Sequence, residues 1–222
     1  MDIFIQQLIN GLVLGSMYAL VALGYTMVYG IINLINFAHG EVLMVGALVS
    51  WTVVTALGDT GWPGWVLLGL SLVAAVLVCM ALNYAIEKLA YRPLRNAPRL
   101  APLITAIGVS IVLQTLAMMI WSRNPLTFPQ LLPSNPIDIG STGATITGKE
   151  IVIILVSILV MVGLILLVNR TKLGRAMRAT AENQRVAGLM GVNPNFVISA
   201  TFMIGAAMAA VAGVMMATNY GN

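Results

Sequence analysis

The chain has 222 residues, of which 59% are hydrophobic and only 8% charged, and its mean hydropathy is +0.96. That balance excludes a soluble protein and reads as an all-α, polytopic transmembrane helical bundle. The net charge of +4 sits beside apolar spans, where membrane orientation explains it and nucleic acid need not be invoked. The single cysteine, Cys79, lies inside an apolar run, which leaves no disulfide framework and no metal-ligand spacing and suits a small packing residue.

Met1-Asp2-Ile3 carries no basic n-region, so the first apolar run is retained as structure. Ile3 to Ile32 as one helix is about 45 Å long against a hydrocarbon core of about 30 Å, so it must tilt strongly or break. Gly24 and Gly30 mark places where it could loosen. Gly11 and Gly15 make a GxxxG, which is either a close helix contact or ordinary glycine usage in a membrane helix.

Asn33-Leu34-Ile35-Asn36-Phe37-Ala38-His39-Gly40-Glu41 follows, polar but without lysine or arginine. The missing basic residues set it apart from a cytoplasmic turn and suggest a discontinuity near 33–41 folded back within membrane depth. On that reading Asn33, Asn36, His39 and Glu41 line or brace a translocation path, since ionisable groups at such depth face the bundle interior or a watery cavity. The alternatives are a polar turn at the interface with Asn36 capping the next helix, and a proton relay through His39 and Glu41.

Val42 to Leu57 is a short second apolar run, and residues 58–64 form a turn, with Trp51, Trp62 and Trp65 placed for an interfacial belt. Trp65 to Ile86 spans again and ends in Lys88, Arg92, Arg95 and Arg99 against Glu87. This places the loop 87–102 in the cytoplasm and the turn at 58–64 outside. Leu103 to Trp121 crosses outward, and 122–150 forms an external loop whose prolines 125, 129, 133 and 136 forbid a long helix. An extended cap over the mouth, or a passive connector, is expected there.

Gly143 to Lys149 imitates the start of a P-loop, yet Glu150 stands where a magnesium-binding Ser or Thr is needed and the loop is external. Nucleotide binding by this chain is therefore not expected. Ile151 to Val168 returns to the cytoplasm and Phe196 to Thr218 leaves it, the latter with a stripe of Gly205, Ala206, Ala209, Ala210 and Gly213 suited to close helix contact.

Between these two spans lies 170–195, RTKLGRAMRATAENQRVAGLMGVNPN, with Arg170, Lys172, Arg175, Arg178 and Arg185 against Glu182 alone. It is cytoplasmic by the positive-inside rule. A short helix is expected with Arg175, Arg178, Glu182 and Arg185 on one polar face and Met177, Ala181 and Leu189 offering a more apolar patch. Gly188, Gly191 and Asn193-Pro194 should stop it.

Glu182 followed by Gly188 ahead of a hydrophobic span resembles the cytoplasmic loop of ABC importer permeases, although Asn183 and Gln184 replace two alanines of the general pattern. With the early INLINFAHGE and the later GRAMRATAENQRVAGLMGVN, the whole chain is similar to the branched-chain amino-acid ABC transporter permease family. The resemblance implies a single permease domain over 1–222 whose short cytoplasmic coupling helix seats in an ATPase groove. Glu182 and Gly188, with Arg178, Asn183 and Arg185 around them, would be the ATPase-coupling residues. It implies no catalytic or metal residues and no cofactor on this chain, with ATP and Mg on partner ATPases. Expected partners are a second permease subunit, homologous or identical, cytoplasmic ATP-binding-cassette ATPases, a periplasmic amino-acid-binding protein and the lipid bilayer of the bacterial inner membrane. Family members usually continue through further spans, so a C-terminal truncation is expected. Two other functions stay open, a proton-coupled secondary transporter and a non-transporting anchor for ATPases.

Overall fold

The computed structural model describes residues 2–32, 35–95, 97–98, 100–121, 123–132, 135–138 and 144–221. Among them, six helices are long and apolar enough to cross a membrane. These are α1 (Asp2–Ile32), α2 (His39–Leu57), α3 (Gly64–Ile86), α4 (Leu100–Ile120), α5 (Gly148–Arg170) and α8 (Pro194–Tyr220). Two short helices, α6 (Lys172–Glu182) and α7 (Gln184–Leu189), join α5 to α8. The protein is thus an all-α, multi-pass membrane bundle, as its composition demands.

Helix α8 is the central post, since most of its residues are buried while α4 and α5 are largely exposed. Its small-residue stripe is the reason. A Cβ added at Gly213 would stand 2.3 Å from the Leu43 carbonyl oxygen, and one at Gly205 would stand 3.0 Å from the Gly24 carbonyl oxygen. Glycine there lets α2 and α1 come within backbone contact of α8. From α3, the Asn83 amide donates to the Phe202 carbonyl at 2.6 Å. Ala206 to Met215 of α8, with Val42, Val45, Ala75, Cys79 and Ile153, form one core cluster. A second, toward the basic loops, joins Val28, Ile31, Tyr91, Met177, Ile198 and Phe202.

Helix α1 is unbroken over 31 residues. Its excess length over the bilayer core therefore calls for tilt or protrusion, and Gly24 serves close packing instead of a hinge. The Gly11/Gly15 pair is not a contact within the chain, because a Cβ at either meets nothing among the described residues. Helix α3 does not stop at Ile86. It continues through a π-helical turn, Glu87–Tyr91, and a 3-10 turn, Arg92–Leu94.

The segment after α4 packs against the ends of α2, α3 and α8. Trp51 Nε1 donates to the Thr127 carbonyl at 3.0 Å, Phe128 is buried against Gly221, and the Leu131 carbonyl closes on Gly64. Strand β1 (Pro136–Asp138) then pairs antiparallel with β2 (Thr145–Thr147). The P-loop imitation falls on this hairpin and the start of α5. Gly143 lies outside the described residues, Glu150 accepts from the Thr147 amide at 2.8 Å, and Lys149 donates to the Asn219 carbonyl at 3.4 Å. Glu150 caps the start of α5, and Lys149 ties that start to the end of α8.

Candidate functional site

The basic segment folds as a knob of two helices, so the expectation of one helix is corrected. Asn183 is extended at φ −157°, and its side-chain oxygen accepts from the amides of Arg185 and Val186 at 3.0 and 3.1 Å. An asparagine side chain that satisfies the first amides of a new helix ends the old one. Arg175, Arg178 and Glu182 stay together on α6, while Arg185 belongs to α7. Leu189 likewise leaves the apolar side of α6. Met177 is buried, whereas Leu189 is 82% exposed, next to Val186 and Met190.

Of the expected coupling residues, Glu182, Asn183, Arg185 and Gly188 are exposed at the knob. Arg178 is exposed but engaged, donating to the Val168 carbonyl at the end of α5 and to Asn169 Oδ1 at 3.5 Å. It braces the corner between α5 and α6. That corner is tight because Gly174 faces backbone, where a Cβ would lie 2.1 Å from the Val168 oxygen. Gly191, at φ +85°, and Asn193, which accepts from the amides of Asn195 and Phe196, then turn the chain into α8.

The knob is seated on spans. Met177 packs in one cluster with Val28 and Ile31 of α1 and Phe202 of α8, and Gln184 Nε2 donates to the Ile31 carbonyl at 3.4 Å. A displacement of α6 and α7 would thus load α1 and α8 directly.

Those two helices grip the polar break. A Cβ on Gly24 would touch the His39 ring at 3.1 Å and the Gly205 carbonyl oxygen at 2.9 Å. Gly24 lies eight residues before the end of α1, about 12 Å along it, so the His39 ring packs against α1 well before that helix ends. His39 and Glu41 occupy the first turn of α2, not a loop. Asn36 is buried; its side-chain oxygen accepts from Tyr91 Oη at 2.8 Å and from the Ala38 amide at 3.1 Å. His39 is buried with Tyr25 edge-on to its ring at 5.8 Å, and among the described residues neither ring nitrogen has a hydrogen-bond partner of good geometry. Asn33 lies outside the described residues.

Glu41 is half-buried and faces α4, where Ser110 Oγ donates to its Oε1 at 2.9 Å and Gln114 Nε2 donates to the same oxygen at 2.6 Å. Reading the chain alone passed over Ser110 and Gln114. Their signal was there, as two polar residues four apart, on one face of a mostly apolar span. Two grooves, about 600 Å³ on α5 and about 520 Å³ between α3 and α4, are almost wholly aliphatic, and the polar residues stand elsewhere.

A further ionic site ties the two basic segments together. Glu87, fully buried, pairs with Arg95, lies 4.0 Å from Arg92, and accepts from Ser199 Oγ of α8 at 2.7 Å. Arg95 also donates to Asn195 Oδ1 at 2.5 Å. Burial pulls the Arg95 guanidinium below its ordinary pKa, and the facing Glu87 carboxylate pushes it back up. Sequence reasoning took these charges as topology signals alone.

Residues 7–222 match the family model described as the permease component of the branched-chain amino acid transport system. The chain is 48% identical over 221 residues to the high-affinity branched-chain amino acid transport system permease protein BraD of Pseudomonas aeruginosa, covering 98% of this chain and 72% of that one. It is 46% identical over 222 residues to the protein LivH of Escherichia coli K12, with the same coverage. It is 29% identical over 214 residues to a probable LivH of Methanocaldococcus jannaschii, covering 92% of this chain and 63% of that one. No solved structure matches it. With a family match over nearly the whole chain and six spans bearing a charged knob, the protein belongs to the branched-chain amino acid transport permease family.

Proposed function

We propose that this chain is the membrane-spanning permease subunit of an ATP-binding-cassette importer that carries branched-chain amino acids across the bacterial inner membrane. The observation that carries the reading is the family match over residues 7–222. A second permease subunit, homologous or identical, completes the pathway. Cytoplasmic ATPases bind ATP and Mg and hydrolyse the nucleotide, and a periplasmic binding protein delivers the amino acid. The permease itself performs no chemistry.

The knob docks the ATPase through Glu182, Asn183, Arg185 and Gly188, beside the exposed apolar side chains Val186, Leu189 and Met190. Arg178 keeps the knob rigid against α5. Motion passes from α6 and α7 into α1 and α8 through Met177 and Gln184, and those helices hold His39 between them. Asn36, His39 and Glu41, with Asn33 beside them in sequence, then lie where opening and closing change access to the path.

The test compares wild type with Glu182→Lys in vesicles containing both permease subunits, ATPases and binding protein. Loss of ATP-driven leucine uptake together with ATPase association, while the permease stays correctly inserted, is the expected result. Unchanged uptake would remove Glu182 from the coupling surface.

A further inference from the structure

Glu41 combines a mid-membrane position with an unmatched charge. Ser110 and Gln114, which hold its Oε1, stand 10 and 14 residues along the 21-residue α4. That is about 15 and 21 Å into a helix about 30 Å long, close to the centre of a hydrocarbon core of similar thickness. A carboxylate at that depth is stable only toward a bundle interior or a water-filled cavity, and it calls for a cation. Among the described residues none reaches it, and its Oε2 has no partner.

Gln114 is exposed on α4 at mid-span, and an uncovered amide at that depth suits a partner helix or a watery path better than lipid. The face is not purely polar either. Ile107 and Ile111, 43% and 58% exposed, recur on the same stripe of α4 as Ser110 and Gln114. A second copy of this chain offers, among the described residues, no lysine or arginine at that level. The basic residues of the six spans are Lys88 and Arg92 beyond the end of α3, and Lys149 and Arg170 at the two ends of α5.

We propose that Glu41, oriented by Ser110 and Gln114, is a subsite for the α-ammonium group of the transported amino acid, with Ile107 and Ile111 flanking its aliphatic side chain. This rests on the permease reading and assigns it a chemical basis for selection within the membrane. A single carboxylate with neutral donors suits a transient site, strong enough to replace the water around an ammonium and weak enough to release it. Amino acids with a neutral aliphatic side chain fit the face, and aliphatic carboxylic acids lacking the amine do not.

The experiment measures ATP-driven leucine uptake by vesicles holding the complete complex, with wild type, Glu41→Gln, Glu41→Asp and Gln114→Ala side by side. Each is checked for thermal stability, co-purification of the two permease subunits and ATP hydrolysis. Wild-type uptake reports the permease reading separately from the variants. The subsite predicts that Glu41→Gln, which keeps the shape and the acceptor oxygen but not the charge, lowers uptake at least ten-fold with assembly and stability intact. Glu41→Asp retains a measurable part, and Gln114→Ala falls several-fold. Wild-type uptake by Glu41→Gln would overturn the proposal. So would loss of the second permease subunit from Glu41→Gln, because the carboxylate's cation would then belong to that subunit.

Discussion

Glu87 shows what a single side chain does in this bundle. A fully buried carboxylate is tolerated because Arg95 pairs with it and Ser199 donates to it, and this joins the end of α3 to the start of α8. Arg92, at 4.0 Å and partly exposed, adds little by comparison, since exposed pairs are screened. Removing one partner of a buried pair leaves an unpaired charge and costs on the order of 3 to 5 kcal/mol. Arg95→Ala should therefore lower the unfolding free energy of the detergent-purified chain by about that amount, and Arg92→Ala should hardly change it. Adding Glu87→Gln to Arg95→Ala should restore part of the loss. Equal effects from the two arginines in a denaturation series would contradict the assignment.

At the scale of elements, close approach decides the packing of α8. A Cβ at Gly213 meets the Leu43 backbone oxygen at 2.3 Å, and no side-chain rotation can relieve a clash with backbone. Gly213→Val should push α2 off α8, lowering the yield of folded protein and its thermal midpoint in a size-exclusion assay. Gly11→Val, where a Cβ meets nothing among the described residues, should leave both unchanged within this chain. A midpoint unaffected by Gly213→Val would mean that α2 and α8 do not pack as described.

The elements also show why some of the architecture was readable in advance. Spans announce themselves by apolar length, and the small-residue stripe of α8 fits a helix that others must approach. The division of the knob at Asn183 was less visible, because a single asparagine inside a helical pattern caps a new helix only when the flanking turns are held elsewhere. Here Met177 is held by α1 and α8, and Gln184 by the end of α1. The polar donors Ser110 and Gln114 were legible as residues, but their partner Glu41 is 69 and 73 positions away. Only the crossing of α2 and α4 brings them together.

At the scale of the whole molecule, the arrangement joins a basic knob to a polar break through two spans, α1 and α8. That is a contiguous packed path from the knob to the polar break, and it is the path along which the proposed coupling to an ATPase would act. Composition revealed the membrane class. The path between knob and break was not readable, since it depends on contacts among helices far apart in sequence. The buried histidine at its inner end also admits a competing account, in which protons drive transport.

The most direct test is leucine uptake into vesicles carrying the complete complex, energised in turn by ATP with the proton gradient collapsed and by an imposed proton gradient without ATP. The account predicts uptake with ATP alone and none with the gradient alone. Uptake that follows the proton gradient and ignores ATP would contradict it.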